Sequence, residues 1–311
     1  MILLEGIAFS NGDPKLVYEY LSSISRKSIW LKPSNLKVSN DGKFLILQTF
    51  NGVVEEYPIR KSFLYKLLRW YSFPLNQLHR MSIDTVTSLC NDFLLNIRAD
   101  LVNVKLENDE ALNILSPEYN ELTDLEIIKL CSSLGIESVS RNDFFLRIYT
   151  LEKLKAEPVP GDLCGFSLNI FNSETGFGAL RVAHYILRYT CRNGAIVKVD
   201  GANEKIFHYG YSEGELQKSL NTQIIKAHES RLKLIQYIKK SNEENLFPYL
   251  TKISKKIDRL LGKNSSQKFL RELQKNSTLY DLFNVITSKA KDYDISKRFY
   301  LERIAGELIS D

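Results

Sequence analysis

The sequence predicts an α+β protein, and three observations predict it. Asn40-Asp41-Gly42 and Asn51-Gly52 separate three short β-rich runs near the start, with turn chemistry that tolerates the positive φ of hairpin corners. A second group of β-rich runs fills the middle, between Phe144 and Val199. From Ser212 onward the chain is rich in Lys and Glu, with apolar residues at helical spacing and almost no β-turn signals. The expected layout is an N-terminal β-meander over residues 1–58, an α+β core with a central antiparallel sheet and helices over 59–211, and a C-terminal helical unit over 212–311.

The elements follow in order. Leu36 to Val38, Phe44 to Thr49 and Val53 to Tyr57 are the meander strands. Phe63, Leu64, Leu67, Leu68 and Tyr71 then recur at helical spacing up to Pro74, and a second helix runs from Ile83 to Ile97. Leu101 to Leu106 and Ala111 to Leu115 form a hairpin through Asn108-Asp109, which Ser116-Pro117 ends. Thr123 to Leu134 is a short helix with Asp124 and Glu126 in its first turn, the right sign for the positive end of the dipole. Phe144 to Tyr149, Leu163 to Phe171, Ala179 to Thr190 and Ala195 to Val199 are the strands of the central sheet. Leu220, Ile224, Ile225, Leu232 and Ile235 make one helical stripe, and Leu246, Leu250, Ile253, Ile257, Leu260 and Leu261 make another that Gly262 stops. Helices over Thr278 to Lys291 and Ile295 to Ile309 complete the chain.

Bulk properties exclude several classes. With 311 residues and 44% hydrophobic composition the chain buries a core without staples. Cys90, Cys131, Cys164 and Cys191 are far apart, and none has a zinc-ligand neighbour, so buried free thiols in a reducing compartment are expected. The apolar start is interrupted by Glu5 and lacks the basic flank of a secretion signal, and no apolar run approaches the roughly 18 residues that span a bilayer. A cytoplasmic protein with no membrane contact is the expectation. His79, His184, His208 and His228 share no metal-binding spacing. There is no phosphate-cradling or dinucleotide glycine fingerprint, no G-x-S-x-G elbow and no H-E-x-x-H. No catalytic residue, metal or cofactor is assigned.

Charge is unevenly placed around a net value of +5. Arg26 to Arg80 holds ten basic and three acidic residues, Met81 to Ser138 three basic and eleven acidic, and Ser212 to Lys275 fourteen basic and seven acidic. The first basic segment interleaves its cations with aromatic rings, the mixture that single-stranded nucleic acid favours, because cations track phosphates while rings stack on bases. Lys61, Lys66, Arg69 and Arg188 are the expected phosphate contacts, and Trp70 or Tyr65 the expected stacking ring. An acidic segment between two basic ones offers a complementary surface for self-association, so a homo-oligomer is expected.

Gly161-Asp162-Leu163, then Asn172-Ser173-Glu174-Thr175-Gly176, then Arg188-Tyr189-Thr190-Cys191-Arg192-Asn193-Gly194 form a spaced signature. With Leu115-Ser116-Pro117-Glu118-Tyr119 upstream and Tyr280-Asp281-Leu282-Phe283-Asn284 downstream, residues 58–308 resemble the phage- and plasmid-associated "domain of unknown function 932" family. The resemblance implies a virus or mobile-element setting rather than an activity. A loose fold analogy connects that family to single-strand annealing proteins. Asp162, Asn172, Ser173, Glu174, Arg188 and Asn193 are the candidate polar loop, either a structural turn or a surface for a phosphate or sugar. Arg188 lies among apolar neighbours and needs a partner, which is Asp162, Glu174 or a phosphate.

The leading functional expectation is a non-catalytic nucleic-acid-binding accessory protein, binding or annealing single-stranded DNA in replication or recombination of a virus or plasmid. The alternative is a protein-interaction or regulatory factor without nucleic-acid binding. A third option, a hydrolase built on Asp162, Glu174 and Arg188, requires the three to share one cleft.

Overall fold

Asp13-Pro14 sets the first boundary in the computed structural model, which describes residues 5–151, 154–190, 193–198, 205–209 and 213–310. Strand β1 (Phe9–Gly12) ends there and helix α1 (Pro14–Ser23) begins. The Asp13 carboxylate accepts from the Lys15 N–H, and proline sits in the first turn, where its missing N–H costs nothing. Strand β2 (Arg26–Leu31) follows, then the meander of β3 (Leu36–Val38), β4 (Phe44–Gln48) and β5 (Val54–Pro58). Gly42 and Gly52 turn its two corners at φ of 70° and 76°, a region open to glycine at no steric cost.

Helices α2 (Lys61–Trp70) and α3 (Ile83–Leu95) lead to the hairpin β6 (Val102–Glu107) and β7 (Glu110–Leu115). Strand β2 pairs with β6, making a second three-stranded sheet. Phe63, Leu64, Leu67 and Leu68 of α2 and Val86, Cys90 and Leu94 of α3 pack on Leu45, Leu47, Val104 and Ile114, one apolar cluster shared by both small sheets. Each run of apolar residues at three- and four-residue spacing has become a buried helix face.

Helix α4 (Asp124–Cys131) carries a capping box, Thr123 accepting from the Glu126 N–H while Glu126 accepts from the Thr123 N–H. Then come β8 (Ile136–Arg141), β9 (Leu146–Thr150), β10 (Leu154–Val159), β11 (Asp162–Asn172), β12 (Arg181–Arg188) and β13 (Asn193–Val197). With β1 they form a seven-stranded antiparallel sheet in the order β1-β8-β9-β11-β12-β13, β10 also pairing with β11. Alternation along β11 sends Cys164, Phe166, Leu168 and Ile170 to one face. Helices α1, α4 and α5 (Glu213–Glu229) cover half of that face through Val17, Ile127, Leu216 and Leu220. The other half lies under α6 (Arg231–Glu243), α7 (Phe247–Leu261), the short α8 (Gln267–Leu270), α9 (Leu279–Ala290) and α10 (Ile295–Ser310).

The chain is α+β with antiparallel sheets and a C-terminal helical region, as the pattern predicts. The stretches 1–58, 59–211 and 212–311 share their packing: β1 pairs with β8, β2 with β6, and the C-terminal helices bury Phe166 and Ile186 of the central sheet. The expected stripe through Ile225 and Leu232 is corrected. Ile225 lies off the buried face of α5 that Leu216, Leu220, Ile224 and Ala227 form and is 58% exposed, and Leu232, 66% exposed, belongs to a separate helix that begins after Ser230, whose hydroxyl donates to the Lys226 carbonyl.

Candidate functional site

The signature loop after β11 is a junction whose polar groups bond to the protein itself. Asn172 donates its amide to the Leu122 carbonyl at 2.9 Å, and the Ser173 hydroxyl donates to the Phe144 carbonyl at 2.6 Å. The Thr175 hydroxyl donates to the Asp143 carbonyl at 2.9 Å, while the Thr175 carbonyl accepts from the Asn113 amide. Tyr119 donates its hydroxyl to the Ser173 carbonyl, and the Lys66 ammonium reaches the Gly176 carbonyl at 3.0 Å. Gly176 turns the chain at φ of 72°. A cleft of about 150 Å³ opens over Glu174 and Thr175 between Arg26, Lys105, Asn113 and Glu121.

Glu174 belongs to a larger buried charge network. Its carboxylate takes Arg26 at 3.1 Å and Arg141 at 3.4 Å, and accepts the Asp124 N–H at the start of α4, where the helix dipole favours an anion. Glu107 takes Arg60 at 2.8 Å and Arg141 at 3.0 Å, and Arg60 reaches on to Glu110 and Asp143. Burial raises the Glu107 carboxyl, but Arg141 and Arg60 outweigh burial and hold it below its ordinary value. Five carboxylates meet three guanidiniums here. Burial accordingly raises the Asp124 carboxyl, with Glu174 adding to the effect, and burial raises Asp143 as well.

The other signature residues lie at the far end of β11. Arg188 pairs with Asp162 at 2.6 Å, and the Tyr280 hydroxyl donates to the same carboxylate at 2.5 Å. Eleven residues of extended strand put Asp162 and Asn172 roughly 30 Å apart. A hydrolase centre built on Asp162, Glu174 and Arg188 is therefore ruled out by geometry. Cys191 and Arg192 lie outside the described residues, and Asn193 opens β13 with its side chain undescribed.

Much of the expected phosphate-contact set turns toward the protein. Lys61 pairs with Glu5 at 2.7 Å, and Tyr65 packs against the Phe144 ring. Lys66 sits over the Tyr119 and Phe177 rings, and burial, with Arg69 beside it, pushes its ammonium down to about 8. Arg69 is exposed, with its guanidinium 5.1 Å from the Phe177 ring centre. Trp70 is 38% exposed and lines an open cleft of about 600 Å³ with Tyr71, Arg98, Ser116, Glu118 and Tyr209. Tyr209 is 45% exposed, and the buried Ser116 hydroxyl has no hydrogen-bond partner. The structure thus separates Trp70 from Lys61 and Arg188 and brings it to Arg98 and Tyr209 instead. Sequence reasoning missed both, because Arg98 and Tyr209 lie outside the named helices and strands, where no periodicity marks a residue.

A second charged surface covers α6 to α8. Lys233, Lys239, Lys255, Arg259, Lys263, Lys268, Arg271 and Lys275 are exposed there, in a stretch from Arg231 to Lys275 with twelve basic and four acidic residues. Among the described residues no three His, Cys, Asp or Glu side chains gather to hold a metal ion, and no helix is long and apolar enough to cross a membrane. Comparison with protein families, curated proteins and solved structures finds no match to this chain.

Proposed function

We propose that the chain is a non-catalytic nucleic-acid-binding protein that holds single-stranded DNA. The observation that carries this reading is the open cleft walled by Trp70, Tyr71 and Tyr209, with Arg98 in its lining and Arg69 next to Trp70 in sequence. Its volume suits a nucleotide, and rings exposed at its edge offer faces on which a base stacks whatever its identity. The basic surface of α6 to α8 supplies the sequence-independent attraction of a polyanion. The resemblance of the signature segments supports a virus or mobile-element setting; action in the cytoplasm, in replication or recombination and with self-association along the strand, completes the reading.

Fluorescence anisotropy with single- and double-stranded oligonucleotides at two salt concentrations tests the reading. Single strands are expected to bind more tightly, and affinity to fall steeply as salt rises, because bound phosphates release counterions. Substituting Arg69 and Arg98 together weakens binding and shallows the salt slope, whereas Arg188→Gln leaves the slope unchanged because that guanidinium is held by Asp162. Salt-independent or absent binding overturns the proposal.

One observation favours a second reading as a protein-interaction factor. Phe50, Val53 and Val54 stand exposed together at the tip of the β4–β5 hairpin, Phe50 at 68%. A partner held there would respond weakly to salt, which separates the two readings.

A further inference from the structure

The second face of the seven-stranded sheet is buried over most of its area, with Phe171 and Arg181 half-buried at its rim. Ser167, Asn169 and Phe171 of β11 alternate onto it, beside Arg147 and Tyr149 of β9 and Arg181, Ala183 and Tyr185 of β12. The first turns of α10 lie against it through Phe299 and Glu302, and Glu302 takes Arg147 at 2.6 Å and Arg298 at 2.8 Å. Between α10 and the ends of β12 and β13 a pocket of about 20 Å³ is left, where Asn169, Arg181, Lys198 and Arg303 face the rings of Phe171 and Phe299 and one carboxylate, Glu307, also lines the wall. The centre of a water-sized sphere can move through that volume, which leaves space for one compact group of a few heavy atoms.

Unmet donors gather around this pocket. Asn169 is 2% exposed, yet its amide nitrogen has no hydrogen-bond partner, and neither has the Arg181 Nε. Arg147 Nε, the Tyr149 hydroxyl and the Ser167 hydroxyl are in the same condition on the same face. Buried polar atoms are seldom left so in a folded protein, and the two that line the pocket, on Asn169 and Arg181, ask for an occupant.

Charge points the same way. No carboxylate among the described residues pairs with Arg181. Arg303 at 3.6 Å and Lys198 at 3.8 Å share Glu307, which Lys256 also holds at 2.6 Å. One carboxylate thus serves three cations, and Arg181 stands beside them uncompensated. Burial lowers the Arg181 pKa and the nearby Arg303 charge adds to this, as expected of a cation without a counter-ion.

We infer that this pocket is an oxyanion site that takes a phosphoryl group. Its donors reach in from the sheet floor at Asn169, the start of β12 at Arg181, the end of β13 at Lys198 and the helix at Arg303. A tetrahedral group presents acceptor oxygens in several directions at once, whereas a planar carboxylate presents two in one plane. Water would satisfy the Asn169 amide but bring no charge to offset Arg181. Phe171 and Phe299, stacked at 5.1 Å, form an apolar wall that keeps competing water from the donors. The site lies on different elements from the Trp70 cleft, and the inference does not rest on the nucleic-acid reading. The phosphoryl group can be free phosphate or the terminal phosphate of a nucleic acid strand.

Isothermal titration calorimetry of the full chain with inorganic phosphate, at fixed ionic strength balanced with chloride, tests this. Phosphate is expected to bind, and Arg181→Gln to weaken it at least tenfold, while Lys233→Gln on the remote basic surface leaves it unchanged. If circular dichroism shows Arg181→Gln unfolded, Arg303→Gln takes its place with the same expected loss. Absence of phosphate binding, or equal binding by wild type and the folded variant, overturns the inference. A 5′-phosphorylated oligonucleotide compared with its 5′-hydroxyl counterpart then identifies the source. A preference for the phosphorylated end that disappears in the variant assigns the pocket to strand termini, and no preference assigns it to free phosphate. Loss of all oligonucleotide binding with phosphate binding intact overturns the nucleic-acid reading alone.

Discussion

At the scale of single residues, Glu107 illustrates how this fold uses charge. It is fully buried, yet it touches Arg60 and Arg141 directly, and Arg26 lies 3.5 Å away. Removing its charge leaves two buried guanidiniums with one counter-ion fewer, Arg60 keeping Glu110 and Asp143, and Arg141 keeping Asp124 and Glu174. Glu107→Gln is accordingly expected to cost roughly 1.5–3 kcal/mol, measured by urea denaturation, and a loss below about 0.5 kcal/mol would mean that the remaining carboxylates or water hold the arginines equally well. The buried histidines set a pH response. Burial pushes His184 and His208 down to about 4, with His184 bonded to the Ala227 carbonyl and His208 to the Asn120 carbonyl. The unfolded chain takes up a proton on each near pH 6.5 while the folded chain does not, so stability falls as pH drops from about 6.5 to about 4, by up to roughly 3 kcal/mol per histidine. The raised Asp124 and Asp143 carboxyls act with the opposite sign, favouring the folded state as pH falls. His184→Asn removes one histidine's share of the slope whatever the carboxyls contribute, and an unchanged slope in a pH series of unfolding curves contradicts the assignment.

At the scale of elements, α10 shows packing overriding propensity. Gly306 lies in mid-helix, where alanine is normally about 1 kcal/mol better, yet a Cβ there would fall on the Ile196 carbonyl of β13. Gly306→Ala should therefore destabilise the protein, and a gain in denaturation midpoint would mean that the helix can move off the strand. What was legible in the sequence follows the same division between local and tertiary causes. The meander was legible because Asp41-Gly42 and Asn51-Gly52 fix its corners locally, and α2, α3, α4, α7, α9 and α10 were legible from period and caps. Strands β1, β2, β8 and β10 and helix α1 were not assigned. Arg26-Lys27-Ser28 looks like a solvated cationic stretch, and only its register against β6, some seventy-five residues on, makes it a strand. Pro158 and alternating Lys and Glu likewise disguise the edge strand β10.

At the scale of the whole molecule, the alternation of basic and acidic segments is first a folding device. Arg26 and Arg60 from the basic segment meet Glu107 and Glu110 from the acidic one inside the protein, so a surplus counted along the chain overstates what remains for a partner. The signature loop was legible as a motif, but its role was not, since its partners Asn113, Tyr119, Phe144 and Lys66 come from four other elements or their ends. Trp70 was picked out by composition, whereas the cleft around it depends on where the loops after α3 and β7 run. If bases stack in that cleft, the Trp70 indole reports their arrival. The chain has two tryptophans, so a Trp30→Phe background leaves Trp70 as the sole indole reporter. Titrating this variant with a single-stranded oligonucleotide at low salt should quench Trp70 fluorescence, and Trp70→Ala should weaken binding about tenfold, in line with roughly 1–3 kcal/mol per stacked base. Binding that leaves Trp70 emission unchanged and survives Trp70→Ala would contradict the account.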